Sequence, residues 1–116
     1  LSGMTDREKS TLPECENQAI ATYFDGDRAL FLAFRESCVE QFDVDLAEGD
    51  AAIEDKDAPS LRRVAHSLKG VLRTIGYDDL SDIAKVVENA AHQNQWETAV
   101  SQWQQFSKGL RKAFGI

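Results

Sequence analysis

Apolar residues return every three or four positions along most of this chain, the interval that marks amphipathic helices. The clearest stripe passes through Phe31, Phe34, Cys38, Phe42, Leu46 and Ile53 and predicts one long helix over residues 28–55. Gly49 falls on that stripe. A glycine inside a helix costs about 1 kcal/mol relative to alanine, so close packing or a local break is expected there. Upstream, Thr11-Leu12-Pro13-Glu14 has the form of a capping box with a proline in the first turn, opening a short helix over residues 12–23. Asp25-Gly26-Asp27 then supplies a turn followed by an N-cap.

Downstream, Asp57 reads as the cap of a third helix with Pro59 in its first turn, and Gly76 as its C-terminal stop. Asp78 starts a fourth helix carrying Leu80, Ile83, Ala84, Val87 and Ala91 at helical spacing. Asn94-Gln95-Trp96-Glu97 is a second capping-box pattern. It opens a last helix with Trp96, Ala99, Val100, Trp103, Phe106 and Leu110 on one side. Lys108, Arg111 and Lys112 near its end suit the negative pole of the helix dipole. No strand-like alternation and no repeat interrupts this pattern. The prediction is an all-α fold, an antiparallel four-helix bundle with a short N-terminal covering helix.

The third segment carries the candidate chemistry. On a helical wheel for residues 58–75, Leu61, Val64, Leu68, Val71, Leu72 and Ile75 cluster on one side and must face the core. His66 then points the opposite way, among Pro59, Arg62, Arg63, Lys69, Gly70 and Arg73. An exposed imidazole offers a nucleophilic neutral nitrogen at cellular pH, and the cations around it favour that neutral form. Once phosphorylated, the ring would carry a dianion that Lys69, one turn away, can pair with. Gly70 gives up helix propensity and leaves bare backbone where a partner can approach closely.

Charge sharpens this picture. The 116 residues hold 20 acidic and 13 basic side chains, for a net charge of −7, which argues against nucleic acid as a general partner. Residues 43–57 contain seven carboxylates and a single cation, Lys56, an acidic run best read as a solvated helix face. Residues 58–77 contain no carboxylate, yet hold Arg62, Arg63, Lys69 and Arg73, with His66 in their midst. Length and a 42% hydrophobic content fit one globular domain. Leu1-Ser2-Gly3 before Met4 reads as a cloning remnant, leaving residues 4–116 as that domain. No apolar run approaches the roughly 18–20 residues that span a bilayer, so no membrane insertion is expected. Cys15 and Cys38 match no ligand or redox spacing and read as reduced thiols of a cytoplasmic protein. His66 and His92 are the only histidines and neither sits in a metal-ligand spacing, so no metal site is expected. His92 reads as a solvated residue at a helix end, and Trp96 and Trp103, seven apart, as core.

Ala65-His66-Ser67-Leu68-Lys69-Gly70, followed by Arg73, Ile75 and Gly76, resembles the signature of the histidine-containing phosphotransfer (HPt) domains of two-component phosphorelays. The likeness extends upstream to Asp57 and Leu61 and downstream to Leu80-Ser81, Ala84 and Glu88. It implies that His66 accepts a phosphoryl group from a receiver-domain aspartate and passes it to another receiver. Lys69 would stabilise the phosphate and Gly70 would be the point of close approach. Arg62, Arg63 and Arg73, read from their charge and their place on the face of His66, are expected to bind or steer the partner. Those partners would be response-regulator receiver domains, including those of hybrid sensor kinases. The receiver would also bring the magnesium, so the chain needs no cofactor of its own, and it would act as a monomeric carrier rather than an enzyme. One departure is that Val71 and Leu72 stand where the family has two small residues; the wheel turns both toward the core, where they alter packing.

Sensor-kinase dimerisation domains also carry a phosphorylated histidine on a bundle helix. They have an acidic residue directly after the histidine and a proline five residues on, where this chain has Ser67 and Val71. No glycine-rich nucleotide-binding pattern is present, so autokinase activity is not expected. A four-helix interaction module whose histidine is never phosphorylated stays open as the alternative.

Overall fold

The computed structural model describes residues 11–116, and the expectations for residues 1–3 and a start at Met4 lie outside them. Among the described residues five helices follow in order: α1 (Glu14–Tyr23), α2 (Arg28–Glu54), α3 (Ala58–Thr74), α4 (Asp78–His92) and α5 (Trp96–Phe114). Among the described residues there is no strand. Short connections turn α2 through α5 into an antiparallel up-and-down bundle. Its most extensive packing is α3 on α4, followed by α4 on α5 and α2 on α3.

The three turns of the bundle close in the same way. Lys56, Gly76 and Asn94 adopt left-handed backbone conformations just past α2, α3 and α4. The next residue's amide then reaches back into the helix: Asp57 to Ala52 at 2.8 Å, Tyr77 to Leu72 at 2.8 Å and Gln95 to Ala90 at 2.9 Å. This explains a correction. Asn94 does not cap α5 as the sequence pattern suggests, because it is already committed to ending α4; Gln95 takes the N-cap position without a side-chain bond. The first capping box also fails to form, since Pro13 itself is the N-cap of α1 and no side chain caps it. The two aspartate caps do form, Asp27 accepting from the Leu30 amide at 3.0 Å and Asp57 from that of Ser60 at 3.1 Å.

The core follows the expected stripes with one displacement. Phe31, Cys38, Phe42 and Leu46 are buried, but Phe34 lies at the surface against Phe24, while Leu32 and Ala52 turn inward and Ile53 is half-buried. The buried direction rotates along this 27-residue helix because its neighbours change, from the Phe24 ring at the start to α5 further on. At Gly49 the helix is unbroken and the packing is close. A Cβ there would fall within 2.7 Å of Trp103 Cε2, and the same indole donates to Asp50 Oδ1 at 2.9 Å.

Helix α1 covers one end of the bundle through a buried carboxylate. Glu16 is fully buried, receives the Arg35 guanidinium at 2.7 Å and accepts the Tyr77 hydroxyl. Gly76 permits the approach, because a Cβ at that position would meet the Cys15 carbonyl carbon at 2.8 Å. Both cysteines are free, and no helix among the described residues is long and apolar enough to cross a membrane.

Candidate functional site

Helix α3 buries Leu61, Val64, Ala65, Leu68 and Leu72, with Ile75 buried just beyond it and Val71 half-buried. That apolar face sends His66 outward, with its side chain 67% exposed. The sequence expectation of an outward histidine on a core-packed helix holds.

Its surroundings differ from that expectation in one respect: the group nearest to the ring is a carboxylate, not a cation. Glu88 of α4 meets His66 Nδ1 at 2.6 Å through Oε2 and accepts from Lys69 Nζ at 2.7 Å through Oε1. The tight antiparallel turn between α3 and α4 makes this possible. It places Glu88 beside the first residue and the last of the turn from His66 to Lys69. Ser81 fixes the same register two turns earlier on α4, its buried hydroxyl donating to the Lys69 carbonyl at 2.8 Å.

The charge on Glu88 then selects the tautomer of the neutral imidazole. Burial works against the Glu88 carboxylate, but hydrogen bonds from Lys69 and His66 outweigh it and hold the carboxyl below its usual range. An ionised carboxylate only accepts, so Nδ1 of the neutral ring carries the hydrogen. Nε2 is left with its lone pair, facing away from Glu88. The arrangement is that of a histidine oriented by an acid so that its other nitrogen can act.

The remaining predicted residues separate into two groups. Arg73 is drawn toward α4, at 3.1 Å from Asp82 and 3.8 Å from Asp78. Arg62 and Arg63 instead line an open groove of about 380 Å3 with Pro59, His66 and Glu88. Gly70 is exposed, and no atom of the described residues lies within 4 Å of where its Cβ would stand. The fold itself therefore makes no demand for glycine there. Among the described residues, no group of three or more histidine, cysteine or acidic side chains is placed to hold a metal ion.

Glu88 is the residue to which sequence reasoning gave no role. It is 22 positions from His66, and a wheel drawn for one helix cannot show it. The available signal was its place two turns after Ser81, on the polar flank of α4.

A family model described as the Hpt domain matches residues 29–113. No curated protein and no solved structure matches the chain.

Proposed function

The chain belongs to the Hpt domain family, and from that premise we propose that His66 is its phosphoacceptor, reacting through Nε2. Hpt domains are phosphocarriers of phosphorelays and work with receiver domains. The observation that carries the assignment is the pair of bonds from His66 Nδ1 and Lys69 Nζ to the two oxygens of Glu88.

In the forward step, the Nε2 lone pair attacks the phosphorus of a receiver's aspartyl phosphate. The N–P bond forms as the acyl-oxygen–phosphorus bond breaks, and the receiver recovers its carboxylate. No proton has to move, because Nε2 carries none. The ring retains the Nδ1 hydrogen and becomes cationic, and the Glu88 carboxylate lies 2.6 Å away to offset that charge. Lys69, already at the site, swings from Glu88 to the new phosphoryl oxygens. The reverse sequence delivers the group to a second receiver. Positioning and electrostatics make up the chain's contribution, in keeping with phosphoryl transfer generally. Magnesium belongs to the receiver, Gly70 is the point of close approach, and the chain acts as a monomer in the cytoplasm, without autokinase activity.

The test is transfer from receivers phosphorylated with a small-molecule donor, run beside His66→Ala. Acid-labile, alkali-stable label on the wild type alone is the expected result. Wild type left unlabelled by several receivers, with its helix content intact, would favour a bundle used only for protein interaction. Label from ATP alone would overturn the exclusion of autokinase activity.

A further inference from the structure

We propose that Arg62 and Arg63 form a recognition groove for a carboxylate side chain of the docked receiver, and that this groove, rather than the whole cationic face, selects the partner. The inference rests on the phosphotransfer reading and deepens it.

The four cations around His66 look equivalent on a helical wheel, but the structure divides them. Lys69 is held by Glu88 at 2.7 Å, and Arg73 by Asp82 at 3.1 Å with Asp78 at 3.8 Å. Both therefore face acids of α4, on the side of His66 toward the end of α3. Arg63 donates to the Ser60 hydroxyl at 3.3 Å, which in turn donates to Asp57 at 2.6 Å, so that carboxylate shares its field without a direct bond. Arg62 makes no ion pair and no side-chain hydrogen bond among the described residues. Arg62 and Arg63 precede His66 by four and three positions, so both stand one turn from it on the same face.

The surface there is concave. The groove of about 380 Å3 is lined by Pro59, Arg62, Arg63, His66 and Glu88. A second hollow of about 180 Å3 shares Pro59 and Arg62 with it and continues to His92. Arg62 thus stands where the two hollows meet, and Glu88, the acid of the first, is already engaged by His66 and Lys69.

Charge complementarity identifies the occupant. A receiver presenting an aspartyl phosphate and holding magnesium must be acidic around its reactive residue, since that cation is bound by carboxylate oxygens. When its phosphorus meets His66 Nε2, that acidic rim lies over the neighbouring turn of α3. A guanidinium recognises a carboxylate through two parallel hydrogen bonds, with a directionality that lysine lacks. Two of them, with Arg62 unpaired among the described residues, give a geometric criterion as well as attraction. The rest of this acidic chain repels a misdocked receiver.

The experiment measures phosphoryl transfer from a phosphorylated receiver to the full chain across receiver concentrations. It compares wild type, Arg62→Glu and Lys108→Glu, the last making the same charge change on an exposed part of α5. The expected result is a half-saturating receiver concentration raised about tenfold by Arg62→Glu, with the maximal single-turnover transfer rate kept, and raised less than threefold by Lys108→Glu. Equal effects of the two substitutions would show a diffuse field and overturn the groove. A lower maximal transfer rate at an unchanged half-saturating concentration would place the guanidinium on the phosphoryl group in transit and overturn carboxylate recognition. Competition by millimolar inorganic phosphate, equal in wild type and Arg62→Glu, is expected; competition lost with Arg62 would make the groove a phosphate site instead. Absence of labelling in the wild type fails the phosphotransfer reading itself. Normal labelling with Arg62→Glu unaffected fails this inference alone.

Discussion

Replacing Glu88 by glutamine tests the site most directly, because it preserves shape while removing the charge and one of two acceptor oxygens. In the native protein Oε2 serves His66 and Oε1 serves Lys69, at 2.6 and 2.7 Å. An amide has a single oxygen, so it can satisfy one of those donors and must turn its NH2 toward the other. A hydrogen bond to a charged group contributes roughly 1.5–3 kcal/mol. The His66 side chain is 67% exposed, however, and solvent screening brings its share down to about 1 kcal/mol. At about 1.4 kcal/mol per factor of ten, the preference for the Nδ1–H tautomer should fall about fivefold. The rate of phosphoryl acceptance should fall by a similar factor, and by more if stabilisation of the cationic phosphorylated ring is lost as well. Nitrogen NMR of the imidazole reads the tautomer directly, and stopped-flow or quench kinetics with a phosphorylated receiver read the rate. Glu88→Gln with an unshifted tautomer and a rate within twofold of wild type would refute the assignment of Glu88 as the orienting acid.

The depressed Glu88 carboxyl also sets a pH dependence. Its unfolded counterpart binds a proton at higher pH, so the contact stabilises the fold above the ordinary glutamate pKa of about 4.3 and is lost as pH falls through the lower, folded value. Urea unfolding between pH 6 and 3 should show a smaller acid-side decline for Glu88→Gln than for wild type, and parallel curves would contradict this. Lys69→Ala should leave the fold intact and reduce the yield or lifetime of the phosphorylated form; an unchanged decay rate and transfer rate would remove Lys69 from the phosphate. Gly70→Gln should hold or raise stability by about 0.5–1 kcal/mol, the helix-propensity gain, since nothing occupies the space beside it. Its transfer from receivers should nevertheless fail, and normal transfer would refute close approach there. Gly49→Ala should behave in the opposite way. Its methyl would overlap the Trp103 indole, so a cost of about 1–3 kcal/mol from overpacking should outweigh the propensity gain, seen as a lower urea midpoint and altered tryptophan fluorescence.

The fold was legible from the sequence because its punctuation and its periodicity agree. Asp27 and Asp57 cap the helices they precede, Gly76 ends α3, and the predicted bounds of α2 differ from the observed ones by a single residue. The failures share a cause. Asn94 fits the motif that starts α5 and also the one that ends α4, and local sequence does not rank them; the bond from the Gln95 amide to the Ala90 carbonyl does. Phe34 has the spacing of a core residue, but which side of α2 is interior changes with the neighbouring helix.

The candidate site divides along the same line. The exposure of His66 follows from the six apolar residues opposite it, a property of one helix, and the sequence of that helix alone is enough to reveal it. The partners of Lys69 and Arg73 are not legible in this way, because they come from α4 and depend on the register of an antiparallel pair. An acid-free segment of sequence is therefore not an acid-free surface: Glu88, Asp78 and Asp82 return to the face from which residues 58–77 exclude carboxylates. They return unevenly. The α3–α4 turn brings the start of α4 alongside the end of α3, so Asp78 and Asp82 reach Arg73, while Glu88, further along α4, pairs with Lys69 and reaches no further than His66. Beyond it, α4 ends in His92 and offers Arg62 no carboxylate. What distinguishes Arg62 from Arg73 is thus the direction in which the hairpin runs, and that direction leaves positive charge available on only one side of the reactive nitrogen.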